Sequence, residues 1–391
     1  MSKKQLLFIT EALWIGGIET ALVNLLRRMD YDQYDVTCLI LRGSLEMADK
    51  IHPSCRLLVA DREKAFTFSK AYKFSRLYHL TEHSDNPSRL HRAMMWAVPA
   101  IKWVENRLYI RYIREQMKGE HFDTCVIYSD RAAETAIRAI NADRYLLFYH
   151  HGAMRKEYHD EIGYRRSDKI IAVSGHVEQM LRRFRPKYAD KMTTLHNLTD
   201  VEGIRTKAEA PIPEEFENDK FHIVSCGRVS REKGMDLAVE ACARLVAMGH
   251  ANIHWWIIGG GPAFAEIQKK IAELAMENHV TLLGMKGNPY PYIRRADLYV
   301  QPSRFEAYGL TIAEAMILGK AIVSTDNGGA GELLIDGENG LLCPIDADAI
   351  AQAVHGLLTQ PDRLHQLRKN IGSIDMDAGN QQTLKSLEEL L

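Results

Sequence analysis

The chain has 391 residues, of which 46% are hydrophobic and 26% are charged, and its formal net charge is −1. This length exceeds that of one ordinary domain, so we expect two. The balanced charge provides no global attraction for nucleic acid. The six cysteines are scattered without a C-x-x-C pair, which argues against a zinc ribbon or a redox dithiol and fits reduced thiols in a cytosol.

The N-terminus carries two lysines before a short apolar run at residues 6–9. Because the run has only the length of a strand and Glu11 follows it closely, we expect no signal peptide. No stretch approaches the roughly 20 apolar residues that a transmembrane helix needs. We therefore expect a cytoplasmic protein that is soluble or peripheral to a membrane.

Residues 6–10 read as a buried strand, and the pair Gly16 and Gly17 then opens an amphipathic helix. This order is typical of a Rossmann-like unit, in which glycines let a ligand approach the backbone. The pair is not a G-x-G-x-x-G sequence, so a dinucleotide fingerprint is absent here. Taken alone, the piece is equally compatible with a tight strand-to-helix turn.

Two histidines follow another predicted strand. Residues 145–149 form an apolar run that leads directly into His150 and His151. Ligands of open α/β sheets bind just past the carboxyl ends of the strands. A neutral imidazole there could hydrogen-bond a sugar hydroxyl or exchange a proton near neutral pH, although most single histidines are structural.

The segment 62–118 is basic and aromatic, with 12 lysines and arginines against 5 acidic residues. Helices of this composition can lie on an anionic membrane surface. Alternatively, such helices can pack their apolar side on a core and expose a solvated basic face. The residues alone favour the second interpretation, and no nucleic-acid-binding module accompanies them.

Residues 201–220 contain two prolines and little periodicity, so we interpret them as a linker. A second α/β half begins at residues 221–226, and the loop after this strand carries Arg228 and Lys233. A planar guanidinium and a mobile ammonium both suit a diphosphate, whereas the alternative is a solvated loop. A later strand ends in the glycine-rich residues 259–262.

Two carboxylates, Glu306 and Glu314, lie eight positions apart around a predicted helix start at Gly309. The preceding strand, residues 297–301, places Glu306 on a loop, and helical spacing places Glu314 within the helix. The amides near Gly309 would form a helix N-terminus suited to a phosphate. Two carboxylates that accept sugar hydroxyls beside such an end indicate a sugar nucleotide site. A capped, solvated helix is the alternative.

Asp346 and Asp348 have the spacing of paired acids that can hold a divalent metal. They follow a proline and precede apolar residues at helix spacing. We therefore interpret one of them as a helix N-cap and not as a metal ligand.

Four motifs, taken in order, resemble those of a retaining glycosyltransferase of the GT-B fold. The resemblance is to family four, which includes many bacterial polysaccharide and glycolipid glycosyltransferases. It implies an α/β fold with two Rossmann-like domains facing each other across a cleft. The motifs are residues 14–19, residues 227–234, residues 259–262 and the pair Glu306-x7-Glu314.

This resemblance also implies domain bounds. Residues 1–200 would form the acceptor-side domain and residues 221–374 the nucleotide-sugar-binding domain, joined by residues 201–220. The last segment, residues 375–391, would be a helix that crosses back to the first domain.

The resemblance further implies a nucleotide diphosphate sugar, with a UDP-sugar expected, as donor. Arg228 and Lys233 would hold the diphosphate, Glu306 the transferred sugar and Glu314 the ribose. Either His150 or His151 would meet the sugar near the reacting carbon. The remaining donor-binding residues would act through their backbone: Gly16, Gly17, Gly259, Tyr308, Gly309 and Leu310.

In this family the acceptor attacks the face that the diphosphate leaves, so the anomeric configuration is kept. No metal and no other cofactor is expected, because cations and a helix end stabilise the leaving group. The acceptor would be a glycan or a lipid-linked molecule. Lipid-linked acceptors raise the expectation that residues 62–118 contact the inner leaflet of the cell membrane.

Two other function classes are compatible with these residues. A nucleotide-sugar epimerase of the same fold would need no acceptor, and a non-catalytic nucleotide-sugar-binding protein would not turn over. A dehydrogenase is disfavoured because neither half carries G-x-G-x-x-G with a downstream acid. The sequence does not specify the sugar, the linkage or the acceptor.

Overall fold

A computed structural model describes residues 3–42, 44–60, 89–154, 161–211, 216 and 219–391; at 89–99, 101 and 102 it describes the backbone alone. The chain divides into two compact units, and each has its own parallel sheet. The first unit consists of Met1–His150, Arg155–Ile171 and Lys187–Thr193, and the second of His151–Met154, Ala172–Pro186 and Thr194–Leu391.

The first unit is built on a seven-stranded sheet in the order β3-β2-β1-β4-β5-β6-β7. Its central strand β1 has four consecutive residues, Leu6 to Ile9, with no solvent exposure. Such continuous apolar runs are typical of parallel strands that are covered on both faces. The strands are β1 Lys4–Thr10, β2 Tyr34–Ile40, β3 Arg56–Val59, β4 Phe122–Ile127, β5 Ala142–Tyr149, β6 Lys169–Ala172 and β7 Met192–Thr194.

Four helices of the first unit are described: α1 Gly17–Arg28, α2 Arg89–Gln116, α3 Ala133–Ala139 and α4 Glu161–Arg166. The long helix α2 is anchored by Tyr109, whose hydroxyl contacts the carbonyl oxygens of Leu41 and Ala60, just past β2 and β3. The carboxyl-terminal half of α2 therefore packs along the sheet. Residues 62–88 of the basic segment 62–118, which the sequence predicted to contact a membrane, lie outside the described residues.

The second unit contains a six-stranded sheet in the order β10-β9-β8-β11-β12-β13, and its neighbouring strands are parallel. The order reverses between β8 and β11, which creates the type of switch point where open α/β sheets bind ligands. The strands are β8 Phe221–Cys226, β9 Ile253–Ile258, β10 Val280–Gly284, β11 Leu298–Gln301, β12 Ile322–Thr325 and β13 Leu341–Cys343.

The helices of the second unit cover both faces of this sheet, and two apolar clusters form its core. Trp255 of β9 is fully buried in one cluster, and its Nε1 donates to Ser225 Oγ at 3.0 Å. The helices are α5 Gly175–Phe184, α6 Val201–Lys207, α7 Met235–Ala247, α8 Phe264–Glu273, α9 Tyr290–Arg295, α10 Leu310–Ile317, α11 Ala347–Thr359, α12 Pro361–Gly372 and α13 Met376–Leu390.

Helix α6 lies in the stretch 201–220 that the sequence predicts to be a linker. Asp200 caps it by accepting from the Gly203 amide, and Val201 and Ile204 bury their side chains. The structure therefore places a short helix in the first part of this stretch. Its two buried apolar residues lie three positions apart and were too few to show periodicity in the sequence.

The final helix α13 begins at the capping residue Asp375. The side-chain amide of Asn380 accepts from the backbone amide of Thr199 at 3.0 Å and donates to its carbonyl at 2.9 Å. Both residues belong to the second unit as the chain divides. These bonds join the final helix to the segment just before α6.

Candidate functional site

The loop after β8 carries the two predicted diphosphate-binding cations. Residues Arg231–Lys233 form one turn of 3-10 helix, and Gly234 follows in a left-handed conformation with φ of 64°. A Cβ at Gly234 would lie 1.9 Å from the carbonyl oxygen of Pro302. Glycine is needed here both for the conformation and for the close approach of the loop after β11. Arg228 is exposed, whereas Lys233 is partly buried.

The carboxylate of Glu306 lies in the loop after β11 and is paired with Lys233. Lys233 Nζ donates to Glu306 Oε1 and Oε2 at 2.6 and 2.8 Å. Ser303 Oγ and Gln301 Nε2 also donate to Oε1, at 2.7 and 3.0 Å. Because Glu306 is only 6% exposed, these partners compensate the cost of burying its charge.

The partners of Glu306 are themselves fixed. Gln301, the last residue of β11, is fully buried, and its Oε1 accepts from Tyr299 at 2.6 Å and Thr311 at 3.2 Å. Sequence reasoning missed Gln301 and Ser303. The signal was available, since both are polar residues at the carboxyl end of an apolar strand, where ligands of such sheets bind.

The backbone of Glu306 lies between two glycine-containing loops. A Cβ at Gly152 would lie 2.6 Å from the carbonyl carbon of Glu306, and one at Gly329 would lie 2.5 Å from its carbonyl oxygen. Larger residues at these two positions would displace the loop. The structure thus brings the short segment His151–Met154 against Glu306, next to the predicted His151.

Glu314 occupies the middle of α10 and is 9% exposed. Burial raises the pKa of this carboxyl to about 7, and two weaker influences, the Tyr290 hydroxyl and the charge of Lys207, lower it. Tyr290 donates to Glu314 Oε1 at 3.3 Å. The helix therefore places Glu314 in an apolar setting with a single neutral donor among the described residues.

The N-terminus of α10 is free of side-chain caps. Its N-cap, Gly309, has a φ of 92° and no capping hydrogen bond from a side chain. The amides around Leu310 thus keep the partial positive charge of a helix end, as the sequence predicted. The preceding Tyr308 is buried.

A chain of three further residues begins at Tyr308, and sequence reasoning did not assign them to the site. The ring of His196 stacks on Tyr308 with centroids 5.3 Å apart. Glu332 Oε2 lies 3.3 Å from His196 Nε2, and its Oε1 accepts from the His176 amide at 2.9 Å. Glu332 follows the glycine-rich residues 328–331, and its two partners lie more than a hundred positions away in the sequence.

The glycine-rich loop after β9 lies beside the cation loop. The Gly227 amide donates to the Ile258 carbonyl at 3.0 Å, and the Val229 amide donates to the Gly260 carbonyl at 2.8 Å. The predicted donor-binding residue Gly259 donates to the Gly284 carbonyl at 2.9 Å. These backbone bonds hold the two loops together at the carboxyl edge of the second sheet.

The remaining predicted site residues lie in the first unit. Gly16, in the loop between β1 and α1, is the N-cap of α1, and Gly17 is the first residue of that helix. The ring of His150, which follows β5, lies 4.6 Å from the ring of Tyr128 and 5.8 Å from that of Phe148. All three predicted residues therefore lie at the carboxyl edge of the first sheet.

Asp346 is the N-cap of α11, since its side chain accepts from the amides of Asp348 and Ala349 at 2.8 and 3.2 Å. The prediction of a cap is confirmed. Across the described ranges, no group of three or more His, Cys, Asp and Glu side chains could hold a metal ion. Nor does any described helix have the length and apolar character needed to cross a membrane.

Comparison with known proteins shows which family this geometry resembles. Residues 206–373, which include Lys233, Glu306 and Glu314, match the family Glycosyl transferases group 1. The predicted resemblance to a glycosyltransferase of the GT-B fold is confirmed.

Two curated relatives illustrate the similarity. The chain is 34% identical over 212 residues to the N-acetylgalactosamine-N,N'-diacetylbacillosaminyl-diphospho-undecaprenol 4-alpha-N-acetylgalactosaminyltransferase of Campylobacter jejuni, covering 53% of the chain and 55% of that protein. It is 30% identical to the alpha-D-kanosaminyltransferase of Streptomyces kanamyceticus, covering 39% of the chain and 40% of that protein. The chain thus spans about half the length, or less, of these relatives.

Solved structures match over the whole chain. Anabaena HepE in complex with UDP and glucose superimposes with a TM-score of 0.72 at 16% identity, covering 99% of this chain and 100% of HepE. A glycosyltransferase from Rickettsia africae has a TM-score of 0.70 at 18% identity, covering 100% and 99%. These likenesses confirm the predicted fold class, α/β with two Rossmann-like sheets.

Proposed function

We propose that this protein is a retaining glycosyltransferase of family four. It would move a sugar from a nucleotide diphosphate sugar, expected to be a UDP-sugar, to a glycan or lipid-linked acceptor in cell-surface polysaccharide or glycolipid synthesis. The observation that carries the proposal is the buried pair of Lys233 and Glu306 beside the uncapped N-terminus of α10. The curated relatives, several of which act in lipopolysaccharide synthesis by name, support the acceptor class.

In this proposal the second unit binds the donor. Lys233 has three N–H donors, two of which reach Glu306, so a third is available to the diphosphate. Arg228 is exposed at the same loop and can add a forked contact to a phosphate oxygen. Glu306 would accept hydroxyls of the transferred sugar, and Glu314 those of the ribose.

The chemical step would be a front-face displacement. The acceptor oxygen forms a bond to the anomeric carbon while the bond from that carbon to the diphosphate oxygen breaks. The diphosphate takes the electron pair, and one of its oxygens takes the acceptor proton. Lys233, Arg228 and the amides around Leu310 would stabilise the developing negative charge because they are already oriented.

The first unit would contribute Gly16 and Gly17. One of two adjacent histidines would also take part, either His150 of the first unit or His151 of the second. The family resemblance implies that these glycines cover the diphosphate and that the histidine meets the sugar. The same resemblance supports a cytoplasmic protein that touches the inner face of the membrane through residues 62–118. No metal or other cofactor is required for the step as proposed.

A thermal-shift panel tests the donor. UDP-, GDP- and ADP-sugars are compared on the native protein and on Glu314→Ala and Lys233→Ala variants. A melting temperature raised by one nucleotide sugar in the native protein but not in the variants supports the proposal. If no nucleotide sugar stabilises the native protein, the proposed donor class is wrong.

A turnover assay then separates the function classes. With a glycan acceptor, release of the nucleoside diphosphate and a product whose anomeric configuration matches the donor, read by NMR, supports a retaining transferase. Epimerised donor in the absence of acceptor would instead support the epimerase. Donor binding without any turnover across an acceptor panel would support a non-catalytic binding protein.

A further inference from the structure

A polar groove lies between helices α2 and α3 of the first unit, outside the residues assigned to donor binding. Its volume is about 400 Å³. It is lined by long side chains from both helices. The principal ones are Trp103, Arg107, Arg111 and Arg114 from α2 with Glu134 and Arg138 from α3.

One wall of the groove is the basic face of the amphipathic helix α2. Trp103, Arg107 and Arg111 repeat every four residues, so they form one row on α2. The opposite row, which includes Tyr109 and Ile113, is buried against the first unit. The basic face of the segment 62–118 is thus, in its described part, the wall of a concave groove and not simply a convex solvated surface.

The described side chains give the groove more positive than negative charge. Glu134 is engaged by Arg138 at 2.9 Å and by the Asn106 amide at 2.8 Å. Among the described residues, no carboxylate forms an ion pair with Arg107 or Arg111. These two guanidinium groups are therefore available to an anion.

An exposed indole accompanies the free charges. Trp103 is 57% exposed, and the guanidinium carbon of Arg107 lies 4.0 Å from the centre of its ring. Cation–π contact of this kind orients the guanidinium and the ring together. An aromatic face next to oriented arginines can take a ligand that has both an apolar surface and negative groups.

We propose that this groove binds an acidic oligosaccharide, whose carboxylate or phosphate groups pair with Arg107 and Arg111. Its C–H surface would pack on Trp103, while Asn106 and Glu115 offer hydrogen bonds to hydroxyls. The concave shape and the two carboxylates in the groove favour a hydroxyl-rich ligand over a flat anionic bilayer. The choice of a glycan rests on the proposed function, since such an enzyme works on growing glycans.

Calorimetric titration of the full chain with oligogalacturonate, which carries one carboxylate per sugar, tests the proposal. We expect binding that weakens with added salt, because the contacts are exposed charges. Trp103→Ala and the double variant Arg107→Gln/Arg111→Gln should each weaken it roughly tenfold or more. The matched control is Phe184→Ala/Arg183→Gln, an equally exposed aromatic and basic pair at the end of α5, which should leave binding unchanged.

Three outcomes would overturn the proposal. One is the absence of oligogalacturonate binding, and another is equal binding of a neutral malto-oligosaccharide that the double arginine variant does not weaken. The third is binding of phosphatidylglycerol vesicles, lost in the same variants, without binding of the oligosaccharide, which would make the groove a lipid surface. Donor stabilisation measured on Trp103→Ala keeps the two proposals separate, because loss of the groove should leave the UDP-sugar shift intact.

Discussion

Glu306 and Glu314 are eight positions apart, both less than a tenth exposed, and yet they have opposite environments. Glu306 has an ammonium, a hydroxyl and an amide within 3.0 Å. In the described part of the chain, the side chain that donates a hydrogen bond to the Glu314 carboxylate is Tyr290, whose hydroxyl lies 3.3 Å away. One carboxylate is part of a closed polar network, and the other lies in a mainly apolar setting.

The difference shows that the protein itself compensates the charge of Glu306, whereas the charge of Glu314 is left for a ligand to compensate. A buried charge with a cation and two hydrogen-bond donors is compensated before any ligand arrives. A buried carboxyl without an ion-paired cation is costly to ionise. Burial therefore raises the pKa of Glu314 to about 7, and the charge of Lys207 lowers it only in part. Sugar hydroxyls that donate to Glu314 would favour its ionised form, so ligand binding and ionisation are coupled at Glu314.

The largest effect is expected from Lys233→Met, which removes the cation from the Glu306 network. Removing one partner of a buried ion pair costs about 3–5 kcal/mol, and the partial exposure of Lys233 places the loss near the lower value. We expect a lower melting temperature and a fall in sugar transfer of roughly a hundredfold or more, equivalent to about 3 kcal/mol. Thermal unfolding and initial rates measure the two effects.

The control for this prediction is the double variant Lys233→Met/Glu306→Gln. With neither charge present, most of the lost stability should return while transfer stays low. If the double variant is destabilised by the sum of the two single variants, the two residues act independently, and the compensated network is the wrong description.

The next effect is the pH dependence of stability caused by Glu314. Its pKa is about 7 in the folded chain and about 4.5 when unfolded, so between these values the folded state binds more protons. Stability from this group is therefore lost as pH rises from 4.5 to 7, by about 3 kcal/mol in total. Glu314→Gln should raise the melting temperature at pH 8 and change it little at pH 4.5. Equal shifts at both values would show that Glu314 does not titrate in this range.

Much of the fold was predictable because buried parallel strands appear in the sequence as largely apolar runs. The bounds of β8 and β9 follow from largely apolar runs, since nearly every residue of these two strands is buried. Helices α6 and α9 were missed. Each has six or seven residues, too few to show periodicity, and each depends on contacts with the rest of its unit.

For the candidate site, the sequence allowed a prediction of residues but not of the contacts between them. The cation loop and the two glutamates could be read from residue types near strand ends. The bond between Lys233 and Glu306 joins residues 73 positions apart, and it depends on Gly234 letting two loops approach. The contacts of Glu332 with two histidines span 136 and 156 positions, so no local pattern could indicate them.

A smaller effect is expected from substituting Arg304, which should disturb the loop of Glu306 and leave Glu314 unchanged. Arg304 follows β11 and forms a fork with Asp236 at 2.6 and 2.7 Å, while its amide donates to the Glu232 carbonyl at 2.7 Å. It therefore ties the loop of Glu306 to that of Lys233. Arg304→Gln should cost about 1–2 kcal/mol, since the pair is only partly buried, and lower the transfer rate more than donor affinity.

Two variants calibrate this result. Arg304→Lys should recover part of the rate because an ammonium can still reach Asp236. Arg244 lies on α7, as Asp236 does, and forms a more exposed pair with Asp348 of α11. Arg244→Gln breaks this pair and should leave the rate unchanged. The pH dependence due to Glu314 should be unaltered in Arg304→Gln. A change there would mean that the two carboxylates share one network after all.

The smallest expected effect is that of Tyr290→Phe, which removes the hydroxyl from Glu314. This hydrogen bond lowers the pKa of Glu314, so its loss should raise that pKa further and move the pH-dependent loss of stability to higher pH. At 3.3 Å the bond is long, and we expect a change of about 1 kcal/mol with a fewfold higher donor KM at neutral pH. The control is Tyr292→Phe, a buried tyrosine on the same helix that contacts Phe216 at its edge. If Tyr290→Phe raises donor KM equally at pH 6 and pH 9, the hydroxyl contacts the donor directly and does not act through the ionisation of Glu314.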